Sequence, residues 1–122
     1  MKYTDEQRIE KIRNYTVKLI KYIEEKGITK EMLLTDETIR WAVTTPLYNI
    51  GEHAYNLTKE FKELNADIPW GKISGLRHRL IHDYEDTNWT IISEIVFTVI
   101  PEFERQLSGI KYPLQGSRDN IG

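Results

Sequence analysis

The sequence contains no cysteine, which removes disulfides, thiolate nucleophiles and cysteine metal sites together. It has no apolar run long enough to span a bilayer. Met1-Lys2-Tyr3-Thr4-Asp5-Glu6 lacks the apolar segment of a secretion signal, so a cytoplasmic location is the expectation. No glycine-rich phosphate loop occurs, and Ser74 and Ser93 have no strand-turn-helix elbow around them. No stretch alternates like a strand, and no internal repeat appears. Excess positive charge is missing as well. Seventeen Lys and Arg against nineteen Asp and Glu give −2, so nonspecific adhesion to nucleic acid is not expected, and any contact with RNA needs a local patch.

What remains is a chain of 122 residues, enough for one core, with apolar positions at helical spacing. Thr4-Asp5-Glu6-Gln7 reads as a capping box, and Ile9, Ile12, Thr16, Leu19 and Ile23 continue as a stripe up to a stop at Lys26-Gly27. One helical turn is expected after Thr29. Ile39, Val43, Leu47, Ile50, Ala54, Leu57, Phe61 and Leu64 then predict one long second helix, about Asp36 to Leu64, kinked at Pro46. Gly51 in that helix allows another backbone to come close. Pro69 suits the first position of a third helix carrying Trp70, Ile73, Leu76 and Leu80. A fourth, capped by Asp86, Thr87 or Asn88, carries Trp89, Ile92, Val96, Val99, Phe103 and Leu107, with a kink at Pro101. Its wide apolar arc suits burial on more than one side, as at a dimer interface. The fold class predicted is all-α, an up-and-down four-helix bundle over residues 1–110, followed by a loose, flexible tail at 111–122.

Chemistry concentrates in Gly75-Leu76-Arg77-His78-Arg79-Leu80-Ile81-His82-Asp83-Tyr84. A fixed cation near an imidazole that exchanges its proton around neutral pH suits phosphodiester chemistry. The same residues also fit a surface ion pair at Arg77, a helix-end His82 satisfied by the dipole, and a half-buried Tyr84. His78 and His82 have zinc-like spacing, but no third ligand is placed beside them. Glu52, His53 and Asp86 could be conscripted, yet nothing in the sequence places them there, so no metal site and no cofactor are expected.

Arg77 to Tyr84 resembles the arginine, four residues, histidine, any residue, tyrosine motif of the HepT-like toxins, in the HEPN superfamily of small helical ribonucleases. Ile50-Gly51-Glu52 is similar to that family's Ile-Gly-Glu, Ile68-Pro69-Trp70 to its approach to the arginine, and Asn88-Trp89 with Ile91 to Ile95 to its last helix. His78 departs from the asparagine or other small polar residue that many HEPN nucleases carry after the arginine. The resemblance implies a HEPN-type bundle and a metal-independent endoribonuclease, the toxin of an MntA/HepT-type pair, acting on RNA such as tRNA or mRNA. Arg77 and His82 would be catalytic, Glu52 and His78 supporting, and the site formed in a homodimer groove. Tyr84 would receive AMP from a nucleotidyltransferase antitoxin. The competing expectation is a non-catalytic helical subunit that binds nucleotide or substrate for such a nucleotidyltransferase.

Overall fold

The computed structural model describes residues 3–81 and 84–113. Among them there is no strand, and the predicted all-α bundle is what forms. Helix α1 runs Asp5–Lys26, α2 Lys30–Thr35, α3 Glu37–Tyr55, α4 Lys59–Leu64 and α5 Trp70–Ile81. A short 3-10 turn at Tyr84–Asp86 leads to α6, Trp89–Glu94, a π-helical turn at Ile95–Val99, and α7, Ile100–Leu107.

The helix ends follow local chemistry. Thr4 and Gln7 close the capping box, and Gly27 takes the left-handed conformation, φ 60°, that ends α1. Thr29 caps α2, Asp36 caps α3 through the Thr38 amide, and Asn88 caps α6. The long second helix expected from Asp36 to Leu64 is two helices. Asn56 folds its side-chain amide back onto the Glu52 carbonyl at 2.9 Å, and Thr58 opens α4 by accepting from the Phe61 amide. Asp5, in the first turn of α1, then receives the Thr58 amide at 2.9 Å and its hydroxyl at 2.6 Å. These polar contacts override the apolar periodicity that runs through the break. Pro46 lies inside α3 without ending it.

Before Pro101 the helix departs from regular α geometry. Proline cannot donate to a carbonyl four residues back, and its ring crowds that carbonyl. The preceding turn widens, so that the Ile100 amide reaches the Ile95 carbonyl, five residues back.

Helix α3 packs on α5 and α1, α2 against α6, and α1 against α7. Phe61, Phe103, Ile9, Ile12, Leu47, Ile50, Ile73, Leu76 and Ile92 are fully enclosed. Trp70 stands edge-on to Phe103, ring centres 6.0 Å apart, and its indole N–H donates to the Asn65 carbonyl at 3.0 Å. Buried Asn65 also ties down the end of the described chain. Its amide donates to the Lys111 carbonyl and its oxygen accepts from the Lys111 amide, both at 2.8 Å, while Tyr112 packs on Phe61. The first residues of the expected tail are thus docked, and 114–122 lie outside the described residues.

The tightest approach is between α3 and α5. A Cβ on Gly51 would lie 2.7 Å from the Arg77 backbone nitrogen and 3.1 Å from the Ile73 carbonyl oxygen and the Leu76 Cβ. Two of those three neighbours are backbone, which cannot step aside. Gly51→Ala should therefore destabilise by about 1–3 kcal/mol through overpacking, lowering Tm by roughly 4–12 °C. Gly75→Ala is the control, because a Cβ there meets nothing within 4 Å. It should leave Tm unchanged or raise it by a few degrees, since alanine is up to about 1 kcal/mol better than glycine within a helix. Thermal unfolding of the two variants checks both.

Candidate nucleic-acid site

The close approach at Gly51 sets Glu52, the next residue on α3, beside Arg77 on α5. The Arg77 Nε–H donates to Glu52 Oε1 at 2.6 Å. About a third of each side chain remains exposed, 31% for Arg77 and 33% for Glu52, so the pair sits at the surface and faces water. Glu52 is itself held. Asn56 donates to its Oε2 at 3.2 Å, and the Tyr48 hydroxyl lies 3.5 Å from Oε1. On the other side the Arg77 guanidinium carbon lies over the Tyr55 ring, 4.2 Å from its centre. The guanidinium is thereby fixed in plane and direction. Its Nε is committed to Glu52, and among the described residues no hydrogen bond takes its Nη groups.

The electrostatics agree with this geometry. The Arg77 hydrogen bond holds the Glu52 carboxyl below its ordinary value, against a smaller opposing effect of burial, and Asn56 and Tyr48 add to the lowering. Glu52 in turn raises Arg77. Arg77 is fully charged across the working pH range, and the carboxylate that aims it is ionised too.

The predicted site residues divide as follows. Arg77 and Glu52 are brought together. His78, one residue on, is exposed on α5. His82 and Asp83 lie outside the described residues, as does the Tyr84 side chain, whose backbone begins the 3-10 turn. Among the described residues no three His, Asp or Glu side chains gather as a metal ion would need, and His82 of the zinc-like pair lies outside them. Glu52 and His53, neighbours in sequence, point to different helices. His53 is buried against α1, its Nδ1 3.1 Å from the Arg8 guanidinium, with the Tyr3 ring edge-on. Burial first, then the charges of Arg8 and Lys11, hold His53 below its ordinary 6.5.

Tyr48, Tyr55 and Asn56 were not singled out from the sequence as site residues. The signal for them was present. Tyr48 and Asn56 stand one turn before and after Glu52, where helical neighbours meet. Tyr55 lies three residues after Glu52, on the same face.

The chain is thus a small all-α bundle with a carboxylate-anchored arginine at a glycine-tightened helix pair. Comparison with known proteins makes the family definite. A family described as "Ribonuclease HepT-like" matches residues 6–110. A candidate RNase of Caldanaerobacter subterraneus subsp. tengcongensis is 41% identical over 85 residues, 70% of this chain and 76% of that protein. A ribonuclease HepT candidate of Thermococcus cleftensis is 33% identical over 92 residues, 70% of this chain and 84% of that one. A candidate RNase of Methanocaldococcus jannaschii is 25% identical over 114 residues, 89% and 94% of the two chains. No solved structure matches. The chain belongs to the HepT-like ribonuclease family.

Acidification should act on the structure in two stages. His53 has a folded value below its unfolded one, so the unfolded chain takes up that proton first, and stability falls as pH drops below about 6.5. Glu52 is lowered from 4.5, so its contribution is present above 4.5 and is lost as pH falls through the lowered value. Glu52→Gln should cost about 1 kcal/mol at pH 7, below the full strength of a charge-assisted hydrogen bond because the pair is partly hydrated. The gap to wild type should close below about pH 4.5, while the upper stage persists in both proteins. Urea unfolding at a series of pH values reads both stages.

Proposed function

We propose that this protein is the toxin of a type VII-like toxin–antitoxin pair, a metal-independent HEPN-type endoribonuclease of the cytoplasm. The observation that carries the reading is the Arg77 guanidinium, held at Nε by Glu52 on the bundle surface in a chain of a ribonuclease family. With Nε occupied, the Nη groups are left to receive a phosphate end-on through two parallel hydrogen bonds. They offset the charge that grows on the phosphoryl oxygens in the transition state.

RNA brings its own nucleophile. His82, five residues beyond Arg77, removes the proton of the 2′-hydroxyl as that oxygen attacks the adjacent phosphorus. The P–O5′ bond breaks, and the departing oxygen takes a proton from an imidazolium. The products are a 2′,3′-cyclic phosphate and a 5′-hydroxyl. One imidazole cannot be base and acid in the same step. Two subunits with facing motifs supply one of each, together with two Arg77 side chains for one phosphate. Glu52 acts as a positioning residue that aims Arg77, and His78 borders the site.

Tyr84 is the control point. Transfer of AMP from ATP to its hydroxyl by a nucleotidyltransferase antitoxin, with release of pyrophosphate, places a phosphodiester and an adenine within the same ten-residue motif as Arg77. That charge competes with RNA for the guanidinium.

With chelator present, wild-type protein should cleave an RNA pool to fragments ending in cyclic phosphate. Arg77→Ala and His82→Ala should each lower kcat/KM at least about 100-fold. Equal activity of wild type and both variants overturns the assignment, and dependence on added metal overturns the mechanism. After co-expression with a neighbouring nucleotidyltransferase, intact mass should show one added AMP per chain, absent in Tyr84→Phe. An unmodified wild type in that experiment removes the proposed regulation.

A further inference from the structure

The outward line of α3 is unlike the rest of the surface. Trp41, Tyr48 and Tyr55 recur every seven residues, which is 20° short of two full helical turns, so all three share one face. Successive rings are about 10.5 Å apart along the axis, and the line is about 21 Å long. Trp41 is 57% exposed and Tyr55 55%, whereas the other two tryptophans, Trp70 and Trp89, are each 8% exposed. Beside the rings the line holds Glu37, Thr38, Thr44, Thr45 and Glu52. In a chain with 30% charged residues, this face carries two charges, Glu37 at its far end and Glu52, with which Arg77 pairs. The line ends at the phosphate-facing arginine, whose guanidinium lies on the Tyr55 ring. A second cation stands there, for Lys62 donates to the Tyr55 carbonyl at 3.3 Å.

We infer that this face is a base-stacking track for a single RNA strand, with Tyr55 and Trp41 as platforms and Tyr48 between them. The inference rests on Arg77 as the phosphate clamp and adds the path by which the strand approaches it. Cations at one end and uncharged rings along the rest match a strand that presents phosphates on one edge and flat bases on the other. Aromatic platforms accept every base, because each has a π-face, and the chain's negative net charge leaves stacking to supply most of the grip. At the 3.4 Å spacing of stacked bases the line spans about six nucleotides. Selection falls on unpaired RNA, since a duplex keeps its base faces covered.

Trp41 reports on its own occupancy, because it is the exposed indole. The test uses a 2′-O-methyl oligouridine octamer, which lacks the attacking hydroxyl and so reads binding apart from cleavage. The octamer should quench Trp41 emission and shield it from acrylamide, and both effects should vanish in Trp41→Phe, which keeps a ring there. Trp41→Ala and Tyr55→Ala should each weaken octamer binding about tenfold by anisotropy, with Trp41→Phe close to wild type. For a cleavable RNA Trp41→Ala should raise KM while kcat at saturation stays near wild type.

Octamer bound with Trp41 still open to acrylamide overturns the inference, as does failure of the octamer to bind. Trp41 already shielded in the free protein, and uncovered on dilution, assigns the face to a second copy of the chain and also overturns it. The two readings fail separately. Shielding of Trp41 without cleavage of any RNA keeps the track and removes the catalysis. Cleavage with unchanged KM in Trp41→Ala keeps the catalysis and removes the track.

Discussion

The contact between α3 and α5 at Gly51 is the constraint on which the site depends. The nearest neighbour of the absent side chain is the backbone nitrogen of Arg77 itself. Helix backbones that close admit no spacer, so Glu52 and Arg77 start from fixed, adjacent points and need little reach to meet. The 2.6 Å hydrogen bond is short because the helices are close, and the helices are close because residue 51 has no Cβ. Stability and chemistry thus draw on the same glycine. The pair itself, partly exposed, adds little to holding the bundle together. Its worth lies in direction, since an arginine tethered at Nε can offer only its far edge.

Much of the fold was legible because helix chemistry is local. Capping at Thr4 and Thr29, the left-handed Gly27 and the apolar stripes of α1, α5 and the last helix all depend on neighbours a few positions away. The break between α3 and α4 was not, because Thr58 is fixed by Asp5, 53 positions earlier. No periodicity within residues 36–64 encodes that partner. The docking of Lys111 by Asn65 escaped for the same reason, at a separation of 46.

The site divides along the same line. Arg77 and Glu52 stood out through motif and helix position, and their contact is long-range but anticipated by Gly51. Tyr48, Tyr55 and Asn56 are ordinary helix residues until α5 arrives beside them. Tyr55 gains meaning as a platform only once a guanidinium lies on it. The exposure of Trp41 is equally hidden from a one-dimensional reading, in which tryptophan is by default a core residue.

Consecutive residues of α3 face different neighbours, Glu52 reaching across to α5 and His53 inward to Arg8 of α1. Contacts about 100° apart on one rigid cylinder pin it against turning on its axis. A twist that slackened one anchor would drag the other out of reach. Loosening of the amino-terminal helix would therefore be felt at the guanidinium without any side chain between them changing rotamer. The bundle's first segment belongs to the mechanical frame of the reactive edge, although it contributes no atom there.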